Sequence, residues 1–125
     1  MIAGAAPQPT LRITTTRESD EIVTLKISGE ADIATAPKLR QALDEAIDRS
    51  ARSLELDLRE CRFIDSKGLQ VIIQAGRSLA EDGRSLTLRS PQEHVRRLFL
   101  TAGIDRIEGV RLSSDVSERT PDSTN

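Results

Sequence analysis

The amino-acid sequence predicts one α/β domain, built on a single mixed and mostly parallel sheet with an N-terminal hairpin and helices mainly on one face. The chain has 125 residues, a length typical of one compact domain. Its apolar residues alternate between a spacing of two, typical of strands, and a spacing of three and four, typical of helices. The resulting order, β-β-α-β-α-β-α-β, favours an α/β layer whose strands run parallel after the hairpin.

The predicted domain covers residues 11–112. Residues 1–10 contain two prolines and no periodic pattern, and residues 113–125 contain one aliphatic side chain. Such segments bury too little apolar surface to fold. We therefore expect a flexible tail at each end, and at most a short or frayed helix after the last strand.

Two strands and a helix are predicted before residue 50. Apolar residues alternate at 11–13 and at 23–27, and the polar run between them predicts a β-hairpin. From Thr35 the spacing becomes helical, with the inward positions Leu39, Ala42, Leu43, Ala46 and Ile47. Thr35 is the predicted N-cap, and Pro37 fits the first turn because its missing N–H has no intrahelical partner there.

A third strand and a second helix follow. Leucines alternate with charged residues over 54–58 and predict a strand, with a loop over residues 60–64. A helix is predicted to begin near Ser66 and to end at Gly83, because glycine adopts the left-handed conformation that ends helices. The alternating charges indicate that one face of the sheet is largely open to water.

The remainder of the domain is predicted to be strand, helix and strand. Residues 86–88 form a short strand, and a third helix begins at Pro91 and ends at Gly103. Ile107, Val110 and Leu112 supply the last strand, although a glycine interrupts their alternation.

The chain lacks the motifs of several enzyme classes. It has no glycine-rich phosphate loop, and its only histidine, His94, stands among charged residues with no nucleophile motif nearby. Its only cysteine, Cys61, fits a small buried hydrophobe and cannot form an internal disulfide or a zinc cluster. We therefore expect a protein that is not an enzyme and that binds no cofactor and no metal.

Charge and hydropathy exclude two kinds of partner. The chain has 18 basic and 20 acidic residues, with no basic excess to neutralise nucleic acid. No apolar run approaches the ~20 residues that span a bilayer, and the N-terminus lacks the basic region of a signal peptide. We expect a cytoplasmic location.

The most informative stretch is residues 63–69, Phe-Ile-Asp-Ser-Lys-Gly-Leu. It places Ser66 at a helix N-terminus, where free N–H groups and the helix dipole favour negative charge. A serine there can carry a phosphate without disrupting the helix. The same residues also fit an ordinary helix cap, and the local sequence leaves both interpretations open.

Three motifs in register resemble those of the STAS-domain family, specifically the bacterial anti-sigma factor antagonists. Asp65-Ser66-x-Gly68-Leu69 resembles the family's phosphoacceptor motif. Residues 27–37 (ISGEADIATAP) resemble its Gly-Glu-x-Asp loop, and residues 91–103 resemble its Pro-x-x-x-V-x-R-x-F/L-x-x-x-G helix. The resemblance covers residues 11–112 and implies the STAS fold.

The resemblance implies a partner switch. In this family the unphosphorylated antagonist binds an anti-sigma factor that is also a serine kinase, and so releases a sigma factor. The kinase then phosphorylates the serine, here Ser66, and a metal-dependent phosphatase resets it. Asp32, Thr35, Asp65 and Lys67 are the expected partner-binding residues, since right-handed crossovers bring both loops to one edge of the sheet. Lys67 stands where many members have Ser or Thr, a difference that bears on which kinase or phosphatase reads the site.

Two other interpretations fit parts of the sequence. A receiver domain would be phosphorylated on Asp57 or Asp65, but the chain lacks the late lysine that receivers need. A STAS-type structural subunit, of a stress-signalling scaffold or of a lipid-transport ATPase, would use Ser66 only as a cap.

Overall fold

The computed structural model describes residues 11–17, 19, 21–50 and 52–113. Its strands and α-helices occur in the predicted order: β1 Leu11–Arg17, β2 Ile22–Ala31, α1 Ala36–Arg49, β3 Ser53–Ile64, α2 Ser66–Glu81, β4 Ser85–Arg89, α3 Glu93–Ala102 and β5 Val110–Ser113. A 3-10 turn over Ile104–Arg106, which the sequence did not predict, lies between α3 and β5. The tail expected at 113–125 was placed one residue too early, because Ser113 is the last residue of β5. Residues 1–10 and 114–125, and any helix following β5, lie outside the described residues.

The described strands form one sheet in the order β1-β2-β3-β4-β5. β1 pairs with β2 antiparallel, and the other three neighbouring pairs are parallel. Each parallel pair is joined through one of the three helices, and every crossover advances in the same direction across the sheet. Right-handed crossovers of this kind place the helices on one face. The mixed sheet predicted from the sequence is therefore confirmed.

The core lies between the sheet and the helices. The alternating leucines of β3 and the Val23, Leu25 and Ile27 side chains of β2 are almost fully buried. The inward residues of the helices cover them, chiefly Leu39, Leu43, Ile72, Leu79, Val95 and Phe99. Burying one Leu or Ile side chain contributes about 1.5–3 kcal/mol, so this aliphatic layer is the main source of stability.

β3 is longer than predicted. The loop expected at 60–64 is the second half of the strand, because β2 continues to Ala31 and pairs with β3 up to Ile64. Two register shifts interrupt this pairing. They move the buried positions to Cys61 and Ile64, three residues apart, and so conceal the period of two from sequence analysis.

The ends of α3 and β5 also differ from the prediction. α3 begins at Glu93, two residues after Pro91, with Gln92 at its N-cap in an extended conformation. Ile107 precedes β5, because its N–H closes the 3-10 turn onto the Ile104 carbonyl. The glycines predicted to end two helices are confirmed. Gly83 and Gly103 have φ of +74° and +76° and lie just after the ends of α2 and α3.

The N-terminal end of α3 covers an open strand edge. β4 ends at Arg89, so the last part of β3 has no strand partner on that side. The Gln92 side-chain amide donates to the Arg59 carbonyl (2.9 Å), and His94 Nε2 lies 2.6 Å from the Arg62 carbonyl oxygen. These contacts satisfy edge carbonyls and hold the strand that leads to Asp65.

Asp57 is a buried carboxylate on the polar face of the sheet. Its side chain is 12% exposed and accepts hydrogen bonds from Arg59 Nη2 (2.9 Å) and Nε (3.2 Å). The Arg59 hydrogen bonds lower the pKa of Asp57 below 3.8, although burial acts in the opposite direction. A carboxylate with a lowered pKa stabilises the fold above its unfolded pKa, and this contribution is lost as the pH falls through the folded pKa.

We predict that Asp57→Asn lowers the free energy of unfolding at pH 7 by about 1–3 kcal/mol, because charge-assisted hydrogen bonds are lost. The difference from the wild type should shrink as the pH falls below 3.8, because the carboxylate of the unfolded chain then binds protons more readily than the folded one, whose pKa is lowered. Urea unfolding at pH 7 and at pH 3 measures this. Glu108→Gln, at an exposed turn residue, is the control. A difference that stays constant from pH 7 to pH 3 would contradict the assignment.

Candidate functional site

The candidate site lies at the carboxyl ends of β2 and β3, where the loops into α1 and α2 meet. Ala31 and Ile64, the last residues of the two strands, pair with each other. The next residue of β3's loop, Asp65, donates its N–H to the Ala31 carbonyl (3.0 Å). The structure therefore brings together the two loops that the sequence placed at one edge.

Asp65 connects these loops through its carboxylate. Oδ1 accepts hydrogen bonds from the backbone N–H groups of Lys67 (2.9 Å) and Gly68 (3.1 Å), and thereby caps α2. Oδ2 accepts a hydrogen bond from the Ile33 N–H (3.1 Å) in the other loop. One side chain thus begins a helix and holds a loop that is 32 residues away in sequence.

Ser66 is the first residue of α2, and it is exposed. Because Asp65 caps the helix, the Ser66 hydroxyl is not needed for that role. Among the described residues it has no hydrogen-bond partner. The capping interpretation therefore applies to Asp65, and Ser66 presents a free hydroxyl beside the helix N-terminus.

The Asp32–Thr35 segment forms a compact turn. Asp32 Oδ1 accepts hydrogen bonds from the N–H groups of Ala34 (3.0 Å) and Thr35 (3.1 Å). The Thr35 hydroxyl donates to the Glu30 carbonyl (2.8 Å) and accepts from the Asp32 N–H (2.9 Å). Thr35 occupies the N-cap position of α1, but its side chain makes no capping bond. Thr35 is 4% exposed, so its hydroxyl stabilises the turn from a buried position.

Gly68 allows α2 to start against the end of β2. A Cβ atom at this position would lie 2.4 Å from the Ala31 carbonyl oxygen and 2.9 Å from the Ala31 Cβ. No side chain fits there without displacing backbone. The glycine of the motif is therefore required for close packing between the two loops.

Exposed apolar side chains flank the site. Ile33 is 68% exposed and Phe63 is 46% exposed, the two largest values among the big apolar residues described. Phe63 was predicted to lie in a loop but belongs to β3, and the exposure of Ile33 was not predicted from the sequence. The signal that could have indicated its exposure was the position of Ile33 in a turn, because a turn has no face that packs on the core. Exposed apolar groups beside a functional loop favour protein–protein contact. Lys67, which follows Ser66 directly, is also exposed.

The chemistry available at the site is limited. Within the described ranges, no three His, Cys, Asp or Glu residues group to hold a metal ion. Cys61 is buried, and burial raises the pKa of its thiol to about 11, as expected for a small core residue. In the described part of the chain, no helix is both long and apolar enough to cross a membrane. The Ser66 hydroxyl, in contrast, is exposed.

Comparison with known proteins agrees with this geometry. A family model described as "Mlab, STAS domain" matches residues 14–112. The chain belongs to the STAS-domain family. It is 34% identical over 91 residues to the anti-sigma-B factor antagonist of Listeria monocytogenes, covering 73% of this chain and 79% of the relative. The corresponding antagonist of Bacillus subtilis is 28% identical over 99 residues, which cover 79% of this chain and 90% of that protein.

Solved structures support the same assignment. A putative anti-sigma factor antagonist from Thermotoga maritima superposes with a TM-score of 0.72 at 28% identity, covering 85% of this chain and 89% of that one. Unphosphorylated SpoIIAA, an anti-sigma factor antagonist, superposes with a TM-score of 0.70 at 20% identity, covering 86% of this chain and 91% of that one, and shows the fold alone. This STAS domain therefore belongs among the anti-sigma factor antagonists.

We predict that Asp65→Ala destabilises the STAS domain by about 1–2 kcal/mol, because a helix cap is lost. Ser66→Ala is the matched control and should change stability by less than about 0.5 kcal/mol. Asp65→Asn keeps one side-chain oxygen that can accept the capping hydrogen bonds. It should therefore lose mainly the hydrogen bond from the Ile33 N–H. Urea unfolding and amide hydrogen exchange at Ile33 measure these effects. A larger loss for Ser66→Ala than for Asp65→Ala would show that the serine is the cap.

We also predict that Gly68→Ala destabilises the domain by about 1–3 kcal/mol through overpacking against Ala31. In an unobstructed helix the same change would be favourable by roughly 0.5–1 kcal/mol. Lys67→Ala, in the same turn but exposed, should be neutral within about 0.5 kcal/mol. Thermal unfolding of the three proteins compares them. A stabilised Gly68→Ala protein would disprove the close approach to β2.

Proposed function

We propose that this chain binds an anti-sigma factor with serine kinase activity when it is unphosphorylated, and that phosphorylation of Ser66 ends this binding. A metal-dependent phosphatase restores the binding form. The observation that carries the proposal is the exposed Ser66 hydroxyl, which is free because Asp65 caps the helix. The chain is then a substrate and a ligand, and it acts in the cytoplasm with these partners.

The names of similar proteins support the coarse function. The curated relatives are anti-sigma-B factor antagonists. SpoIIAA, which shares the fold, has been solved in a phosphorylated as well as an unphosphorylated form. The same modification on Ser66 of this chain is our proposal.

Electrostatics explain the direction of the switch. A phosphate adds about 1.5–2 negative charges at neutral pH. On Ser66 it would lie next to the Asp65 carboxylate and close to the turn that holds Asp32. The N-terminus of α2 tolerates the charge, so the domain need not refold. A partner, in contrast, would have to desolvate the phosphate or meet it with complementary charge, and mismatched charge costs several kcal/mol.

The proposed contact surface combines the site residues with their apolar neighbours. Asp32, Asp65 and Lys67 supply polar groups around Ser66, and the exposed Ile33 supplies apolar area. Thr35 contributes indirectly, because its buried hydroxyl holds the turn that presents Ile33.

The structure argues against a receiver domain, because Asp57 and Asp65, its two candidate phosphate acceptors, are both held in other contacts. The Asp57 carboxylate is nearly buried and bonded to Arg59. Both oxygens of Asp65 accept backbone hydrogen bonds. A structural STAS subunit remains the competing function, and it differs by requiring no modification of Ser66.

The proposal predicts that phosphorylation of Ser66 weakens binding to the anti-sigma factor at least tenfold, which corresponds to ~1.4 kcal/mol. The partner is the anti-sigma factor that co-purifies with the tagged chain, identified by mass spectrometry and then purified. Calorimetry compares the unmodified, phosphorylated and Ser66→Ala proteins, and Ser66→Ala should bind like the unmodified form. Ser66→Asp, with one charge on a shorter arm, should weaken binding less than phosphate does.

Ser78→Ala provides the matched control, because Ser78 is another exposed serine of α2. With ATP and magnesium, the kinase should phosphorylate this variant and leave Ser66→Ala unmodified. Phosphate on Ser78 or Thr101, or equal affinity of the phosphorylated and unmodified proteins, would refute the switch and favour a structural subunit.

A further inference from the structure

A groove of about 500 Å³ lies between α1 and the start of α2. Its apolar lining comes from Ile33, Ala36, Pro37 and Val71. Ile33 is 68% exposed, the largest value among the big apolar side chains described. An exposed apolar surface of this kind typically contacts another protein.

The groove is continuous with the phosphoacceptor loop. Ile33, at one end, is bonded through its N–H to Asp65, and Lys67, which also lines the groove, follows Ser66 directly. The lining continues along α1 from Ala36 to Asp48, a length of about 18 Å at the helical rise. A molecule bound near Ser66 can therefore extend along α1.

The α1 side of the groove is acidic. Asp44, Glu45 and Asp48 line it and are exposed. Arg40 also lines the groove, and its guanidinium is bonded to Gln74 Oε1 (2.7 Å), which directs it toward α2. Within the described residues, the three carboxylates form no ion pair.

The position of Asp48 adds a second argument. It lies in the last turn of α1, where the helix dipole disfavours negative charge. The Asp48 carboxylate therefore does not stabilise α1 itself. The three carboxylates outnumber the two cations of the lining, Arg40 and Lys67. The acidic side is therefore suited to a positively charged partner, which would meet these carboxylates and apolar surface together.

We propose that this groove binds a basic amphipathic segment of the anti-sigma factor. Its apolar side chains pack on Ile33, Ala36 and Val71, and its Lys or Arg side chains face Asp44 and Asp48. The inference rests on the proposed function and names the chemistry of the partner. A second copy of this chain is a poorer occupant, because a two-fold contact through the groove would place the same carboxylates against each other.

The test is charge reversal in the groove. The double variant Asp44→Lys/Asp48→Lys should bind the purified anti-sigma factor at least tenfold more weakly, measured by calorimetry at low salt. Raising the salt concentration should weaken the wild type more than the variant, because the lost interactions are electrostatic. Ile33→Ser removes the exposed apolar contact, and it too should weaken binding while leaving thermal stability unchanged.

Glu81→Lys is the matched control. Glu81 is an exposed acid in the last turn of α2, and it does not line the groove. Its reversal makes the same change at a helix C-terminus and should leave affinity within twofold. Circular dichroism and thermal unfolding show that each variant is folded.

The outcomes separate this inference from the proposed function. If phosphorylation of Ser66 weakens binding but the groove variants bind like the wild type, the groove inference is wrong and the switch stands. If the groove variants bind weakly but phosphorylation has no effect, the switch is wrong and the groove stands. If sedimentation shows a dimer of the chain alone that the double variant abolishes, the occupant is a second copy and the proposal is overturned.

Discussion

The geometry of the site depends on the three backbone hydrogen bonds that the Asp65 carboxylate accepts. Two of them satisfy N–H groups at the start of α2, which would otherwise lack partners. The third fixes Ile33 in the turn that leads into α1. Asp65 directly follows the last residue of β3. Its carboxylate therefore forms a junction between the end of this strand, the start of α2 and the turn that leads into α1. Gly68 permits it, since a side chain there would meet the Ala31 carbonyl.

At this junction the helix cap and the proposed phosphorylation site are different residues, Asp65 and Ser66. Asp65 does the structural work, so the neighbouring Ser66 hydroxyl can be changed without removing a cap. A helix N-terminus also favours negative charge. A phosphate at Ser66 would therefore alter the surface more than the fold. That division suits a protein whose partner must read a charge rather than a refolded domain. The surrounding surface fits the same use, because Ile33 is exposed in the loop that Asp65 holds, and the groove that begins there extends to the acidic side of α1.

Most of the fold could be predicted from the sequence, and the predictions that failed have a common cause. Hydrophobic spacing identified each described strand and α-helix, and Gly83 and Gly103 marked two helix ends, because these signals act within a few residues. The second half of β3 was missed because its pairing with β2 includes register shifts that break the period of two. Thr35 was correctly placed at the start of α1, yet its hydroxyl bonds the Glu30 carbonyl instead of capping the helix. In both cases a contact outside the local pattern decided the outcome.

The sequence by itself determined the order of elements, the motif around Ser66 and the meeting of two loops at one sheet edge. Local backbone preferences and crossover handedness are sufficient for those conclusions. Only the tertiary structure decided that Asp65 rather than Ser66 caps α2, that Thr35 is buried, and that Ile33 is exposed beside an acidic groove. The reason is the distance along the chain. The Asp65 carboxylate bonds a residue 32 positions away, and α1 and α2 form the groove only after both have packed on the sheet.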